Sequence, residues 1–172
     1  MSTLPQVSVI MPLNGHSAGI GRALASLAVQ SLRHWELLVI GTEVPRALPH
    51  DPRIRRIDLP AAACLGQALN EGFERARAPL LAYLPAGGIY YPDHLRDLSD
   101  CLAASPAAVL AYAGLRARRG NAGLQLIQCM HRRTSLRMQT GTADPGHWLW
   151  ARLRNGGAVE YSGSASCDWG GA

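Results

Sequence analysis

Apolar runs of strand length alternate with stretches of helical spacing along most of this chain. Val7-Ser8-Val9-Ile10-Met11 reads as a buried strand, which Pro12 and the polar Asn14-Gly15 loop are expected to stop. Over residues 19–32, Ile20, Ala23, Leu24, Leu27 and Ala28 recur at helical spacing. Residues 35–40 form a second apolar run, and residues 53–59 predict a short third strand after a proline-rich connection. Residues 65–77 predict an amphipathic helix with Leu65, Leu69 and Phe73 on one stripe. A fourth strand spans 80–84, and after a turn a helix is expected over about 92–104. Pro92 and Asp93 suit its first turn, where a missing N–H costs little and negative charge meets the positive end of the dipole. Residues 107–116 and 124–131 read as further strands, with short helices expected near 132–138 and 146–154. No internal repeat or interdomain linker intervenes. The alternation predicts one α/β domain, a mostly parallel sheet with helices on both faces.

A length of 172 residues supports a single domain, able to bury roughly 70% of its unfolded surface. No apolar run approaches the ~20 residues that span a bilayer. Met1-Ser2-Thr3-Leu4-Pro5-Gln6 lacks the basic start and apolar stretch of a signal peptide. Cys64, Cys101, Cys129 and Cys167 are scattered with no Cys-x-x-Cys pair, as expected of reduced thiols in a cytoplasmic protein. The histidines show no zinc-ligand spacing.

The net charge is +5, and all 17 basic residues are arginine. Without lysine there is no P-loop lysine, no Schiff base and no Tyr-x-x-x-Lys pair. The positive charge permits attraction to anions such as nucleotide diphosphates. The arginine clusters (53, 55, 56; 116, 118, 119; 132, 133, 137) are short and separated, and aromatic residues are few. Nucleic-acid binding is therefore not expected. Asn14 to Ala23 resembles the Gly-x-x-x-Gly-x-Gly turn of short-chain dehydrogenases, a pyrophosphate cradle at a helix N-terminus. The missing lysine and the misplaced Pro12 argue against that reading.

A second resemblance covers about residues 7–153. Val7-Ser8-Val9-Ile10-Met11-Pro12, Ser26-Leu27-Ala28-Val29-Gln30-Ser31 and Trp35-Glu36-Leu37-Leu38-Val39-Ile40 are similar to the first strand, first helix end and second strand of family 2 glycosyltransferases. Ala68-Leu69-Asn70-Glu71-Gly72 resembles their Arg-Asn-x-Gly helix, with Leu69 where the arginine often stands. Tyr83-Leu84 and Tyr90-Tyr91-Pro92-Asp93-His94-Leu95 bracket the position of their metal turn. His131-Arg132-Arg133 and Leu149-Trp150-Ala151-Arg152-Leu153 resemble the acceptor side. The resemblance implies the GT-A fold, with a nucleotide-side half over about 5–100, a trimmed acceptor-side part over about 105–160 and a flexible tail over about 162–172.

The same resemblance exposes what is missing. Transfer from a nucleotide sugar expels a diphosphate, whose charge a carboxylate-held divalent ion ordinarily neutralises. The family's Asp-x-Asp-Asp turn falls on Pro85-Ala86-Gly87-Gly88, which holds no ionisable group. Its acidic pair after the second strand falls on Gly41-Thr42, with Glu43 one step late. The catalytic Glu-Asp falls on Pro145-Gly146, with Asp144 just upstream. No metal or other cofactor is expected, because the ligands are absent.

Two functions follow. The leading one is a glycosyltransferase-like binding, assembly or regulatory module that has lost metal-dependent transfer. Its partners would be a nucleotide sugar or glycan, or a protein in a biosynthetic assembly. The alternative is a metal-independent transferase that uses Arg132, Arg133 and helix N-termini against the leaving diphosphate. Its base would be Asp144, Asp93 or His94, although Asp93 and His94 also read as plain helix-start residues. The expected cleft comprises Pro12, Asn14, Glu43, Asn70, Pro85, Gly87, Gly88, Tyr90, Arg132 and Trp148. Trp148 is a candidate for stacking on a sugar ring.

Overall fold

The computed structural model describes residues 4–13, 19–61, 63–106, 108, 110–113, 115–118, 124–127 and 148–151. The elements are β1 (Val7–Leu13), α1 (Ile20–Ala28), β2 (Trp35–Gly41), β3 (Ile54–Asp58), α2 (Leu65–Arg75), β4 (Leu80–Tyr83), α3 (His94–Ala104), β5 (Leu110–Tyr112), β6 (Leu115–Arg118), β7 (Leu124–Ile127) and β8 (Trp148–Ala151). Six strands form one sheet in the order β3-β2-β1-β4-β8-β5, and β6 pairs with β7 in a separate antiparallel ribbon. The four strands β3, β2, β1 and β4 are parallel, while β8 runs antiparallel to both β4 and β5.

Strand alternation divides the core into two layers. Val7, Val9, Met11, Leu13, Leu37 and Val39 pack on one face with Ala23 and Leu27 of α1 and Leu95, Leu98 and Leu102 of α3. Ile10, Leu38, Ile40, Ile57 and Leu81 pack on the other with Ala68 and Leu69 of α2. The central strands are buried on both faces, which explains their near-continuous apolar sequence. α2 lies close to the sheet at Gly72, where a Cβ would stand 2.7 Å from Ile10 Cγ2 and 3.0 Å from Ile40 Cδ1.

Several boundaries differ from expectation. β1 runs through Pro12, which pairs in register with Ile40. The Ile10 carbonyl accepts from Leu84 N–H, so residues of that parity face β4. β4 pairs with β1 only as far as Ile10, and the N–H that Pro12 lacks would point where no ladder partner remains. α1 ends at Ala28 rather than near 32, because Val29 and Gln30 turn away with Gln30 N–H on the Leu27 carbonyl. α3 begins at His94 with Asp93 as its N-cap, so Pro92 lies before the helix. The single strand expected over 107–116 is two strands with different partners, β5 and β6. The helix expected near 146–154 is contradicted over Trp148–Ala151, which is β8, wedged between β4 and β5. A four-residue apolar run carries no period that separates strand from helix, and its partners here are distant in sequence. The expected helix over 132–138 and the tail over 162–172 lie outside the described residues. Among the described residues, no helix is long and apolar enough to cross a membrane.

At the N-terminal edge of the sheet, Glu36 is buried in a polar network. Its carboxylate accepts from Ser8 Oγ (2.7 Å), Arg77 N (2.8 Å), Arg77 Nε (2.8 Å) and Arg55 Nη1 (3.2 Å). Ser8 Oγ in turn accepts from Ala78 N at 3.0 Å. Burial pushes the Glu36 carboxyl up, but the hydrogen bonds from Ser8, Arg77 and Arg55 together outweigh it and hold the group below its ordinary range.

Candidate functional site

The carboxyl ends of the parallel strands form the edge where open α/β sheets receive ligands. Leu13, Gly41 and Asp58 are register partners, so β1, β2 and β3 end in one row. Pro12 is buried just behind that row, and Glu43 is exposed beyond β2. Asp58 is bound by Arg56 through contacts of 2.6 to 3.0 Å. That pairing, with Arg46 adding to it, keeps the Asp58 carboxyl below its usual range against the opposing effect of desolvation.

The turn after β4 completes the edge. Gly88 N–H donates to the Pro85 carbonyl at 2.8 Å, closing Pro85-Ala86-Gly87-Gly88 into a tight loop. The N-terminus of α1 abuts it. Gly19 adopts the left-handed conformation with φ 101°, and a Cβ there would lie 3.1 Å from Ala86 O and 3.3 Å from Gly87 Cα. Glycine suits both the torsion and the approach.

Space decides what these positions can hold. At Gly41 a Cβ would sit 2.2 Å from the Leu13 carbonyl oxygen, so no side chain fits without moving β1 or β2. At Gly88 it would meet Leu84 Cδ1 at 3.0 Å and Pro85 O at 3.1 Å, whereas Gly87 faces open space. The residues present do not fit the divalent cation that the resemblance implies. Proline, alanine and glycine side chains offer no oxygen, and no cluster of three His, Cys, Asp or Glu occurs among the described residues.

The remaining expected residues separate into several locations. Tyr90 is buried at 4% exposure beneath the turn, and its hydroxyl donates to the Tyr83 carbonyl at 2.6 Å. Burial, with Tyr83 contributing, pushes its phenol well above the ordinary tyrosine range, so it stays protonated. His94 stacks on Tyr90 with ring centroids 4.2 Å apart. Asp93 is an exposed N-cap whose side chain makes no capping hydrogen bond. Asn70 lines a groove of about 380 Å³ with Ala63, Gln67, Glu71 and Glu74, and with Leu59 and Pro60, which follow Asp58 of the strand-end row. Glu71 in that groove pairs with Arg75. The backbone of Trp148 pairs with Tyr112. Asn14, Arg132, Arg133 and Asp144 lie outside the described residues.

Two site-shaping residues received no role from the sequence, although both lie in the run that resembles the family's first helix end. Ser26 and Gln30 are buried polar side chains on α1 and its C-terminal end, and both bind the segment that follows the turn. Their signal was available: polar residues four apart interrupt the stripe that Ala23 and Leu27 bury.

The fold is shared with known structures. S. aureus TarS 1–349 in complex with UDP-GlcNAc matches 86% of this chain and 45% of its own length, with a TM-score of 0.65 at 15% identity. The fold is that of the GT-A glycosyltransferases. The mannosyltransferase PcManGT from Pyrobaculum calidifontis, in complex with GDP-Man and Mn2+, matches 63% of this chain and 35% of its own, with a TM-score of 0.55 at 18% identity. In sequence, the chain is 30% identical over 118 residues to "Uncharacterized protein y4gI" of Sinorhizobium fredii, which is 63% of this chain and 13% of that protein. The chain thus spans less than half of these solved relatives and a small part of y4gI. No family model matches it.

Proposed function

We propose that this domain is a glycosyltransferase-like module that has lost metal-dependent sugar transfer and serves binding, assembly or regulation in polysaccharide or glycan biosynthesis. The observation that carries the reading is the closure of position 41. The resemblance expects an acidic residue there, and the Leu13 carbonyl leaves no room even for a Cβ. A metal-dependent transferase cleft of the family's kind would need carboxylates at 41 and across 85–88, and the side chains at these positions supply none.

TarS is in complex with UDP-GlcNAc and PcManGT with GDP-Man and Mn2+, which supports a nucleotide sugar or a glycan as the ligand class here. A protein partner within a biosynthetic assembly is the other occupant that suits a domain without its own chemistry. A cytoplasmic setting belongs to the same reading and agrees with the thiols of Cys64 and Cys101.

The test is a turnover assay with UDP- and GDP-sugars, with and without Mn²⁺, alongside thermal shift with UDP. Expected are no hydrolysis or transfer and no manganese-dependent shift. Manganese-dependent turnover would overturn the proposal. Metal-free turnover abolished by Asp144→Asn would replace it with the metal-independent transferase.

A further inference from the structure

The segment that carries the cleft floor is tied to α1 at both ends of that helix. At the N-terminal end, Gly19 packs on Ala86 and Gly87. At the other end, Tyr90 N–H donates to Ser26 Oγ at 3.2 Å, and Ser26 Oγ donates to the Ala23 carbonyl at 2.7 Å. Gln30 uses its whole carboxamide. Nε2 donates to the Ser26 carbonyl (3.1 Å) and the Tyr91 carbonyl (2.7 Å), and Oε1 accepts from Leu95 N–H (3.1 Å). Ser31 N–H donates to the Pro92 carbonyl at 2.8 Å, and Arg96 reaches back to Ser31 O at 2.9 Å and Ser31 Oγ at 3.1 Å.

The bonds join positions 61 to 65 residues apart in the chain. Ser26 and Gln30 are 6% and 0% exposed. Broken bonds there cannot be replaced by water unless the structure opens, so they are costly to lose. β4 holds the same segment less extensively: the Leu84 ladder bond lies before the turn, and the Tyr90 hydroxyl reaches Tyr83 O.

We propose that α1 is a splint: the turn 85–88 and the segment 89–95 form one cooperative unit with α1, held in place by Ser26 and Gln30. A floor fixed this way is preformed without a bridging cation. Ser26 and Gln30 are then positioning residues for whatever ligand the edge receives. This use of the splint rests on the reading of the strand-end cleft as the binding site, but the coupling itself does not.

Native-state hydrogen exchange by NMR tests the coupling directly. In the wild type, the Tyr90 and Leu95 amides should open with the same free energy and denaturant slope as the Ala23 and Leu27 amides of α1. Opening of Tyr90 and Leu95 separately from α1 would overturn the proposal. Gln30→Met keeps the volume and removes all three carboxamide bonds. It should speed exchange at Leu95 and Tyr90 by at least roughly tenfold relative to Leu37, whose N–H binds the Arg53 carbonyl in the β2–β3 ladder. Ser26→Ala should act selectively on Tyr90, and Ser26→Thr should restore it. An equal rise at Leu37 would show only global destabilisation and overturn the splint, as would no rise. UDP titration of the same proteins separates the two ideas. Selective exchange without UDP binding leaves the splint standing and removes the nucleotide ligand, whereas UDP binding unchanged in Gln30→Met removes the positioning role.

Discussion

Replacing Glu36 by glutamine tests whether a buried charge at the foot of the sheet holds the domain together. The side chain is 2% exposed, while its partners Arg55 and Arg77 are 32% and 52% exposed. A carboxamide keeps one oxygen, best turned toward Ser8 Oγ and Arg77 N, which sit together on Oε1. Those two bonds survive but lose their charge assistance, about 0.5 kcal/mol each. The NH₂ then faces the guanidinium groups of Arg77 and Arg55, and both contacts are lost. Because these arginines rehydrate, each loss is discounted to about 1 kcal/mol. Glu36→Gln should therefore cost about 3 kcal/mol, and Glu36→Ala about 4 kcal/mol, because it strands the buried Ser8 as well. At this chain length the glutamine variant's Tm should fall by about 10 °C.

The pH dependence supplies a second, independent readout. The folded state holds the Glu36 carboxyl below its ordinary value of 4.5. On acidification the unfolded chain therefore takes up this proton first. The associated stability is complete above about pH 5 and is lost as pH falls through 4.5 and the lower folded value. Urea titrations of both proteins from pH 7 to pH 3 should show a gap that narrows at the acid end. Parallel curves, or a gap under about 1 kcal/mol at pH 7, would refute the claim that this carboxylate is charged and stabilising.

Other outcomes follow from individual contacts. Gly41→Ala should destabilise by about 3 kcal/mol or more, since its Cβ would lie 2.2 Å from a backbone oxygen; a midpoint unchanged in urea would refute that closure. Gly72→Ala sets a helix-propensity gain of about 1 kcal/mol against overpacking on Ile10 and Ile40 of about 2 kcal/mol, so a net loss near 1 kcal/mol is expected by chemical denaturation. Tyr90→Phe removes the donor to Tyr83 O and should cost about 1 kcal/mol, with local exchange at residues 85–92 rising more than in β2. Pro85→Asp combined with Gly87→Asp should create a manganese-dependent rise in Tm that the wild type lacks, because Gly87 faces open space; no rise would show that the turn geometry, and not only its side chains, excludes the metal.

Much of the fold was legible because the central strands are buried on both faces, which leaves continuous apolar runs such as Val7 to Met11 and Trp35 to Ile40. The ends were less so, since they depend on tertiary partners. Pro12 stays in β1 because β4 has already left its side, a fact about pairing and not about proline. β8 looked helical because Trp148-Leu149-Trp150-Ala151 has no readable period, and its partners lie 36 or more residues away in the chain. At the candidate site, the missing carboxylates were visible as residue types, but the closure at Gly41 was not. A glycine in sequence does not say whether its Cβ would meet solvent, as at Gly87, or the Leu13 carbonyl. Ser26 and Gln30 show in the sequence as polar positions on a buried stripe, but what they bind does not, because their partners lie 61 to 65 positions away.

The placement of the stabilising interactions explains how this fold tolerates a cleft edge without carboxylates at 41 and 85–88. Its buried ion network sits at the N-terminal edge of the strands, in Ser8, Glu36, Arg55 and Arg77. Its apolar layers lie between the sheet and the three helices. The turn that would hold a metal adds only Ala86, packed against one apolar layer, and α1 braces the turn and the segment after it through Gly19, Ser26 and Gln30. Acidic residues gathered at such an edge repel one another unless a cation is bound, so neutral residues there relieve a strain rather than create one. On the proposed reading, selection for transfer could lapse without a stability penalty, and Gly41 could then close against Leu13. The order matters for reversal. Carboxylates restored at 85 and 87 meet open space at Gly87, but an acid restored at 41 must first push β1 and β2 apart, so regained metal binding is expected well before regained transfer.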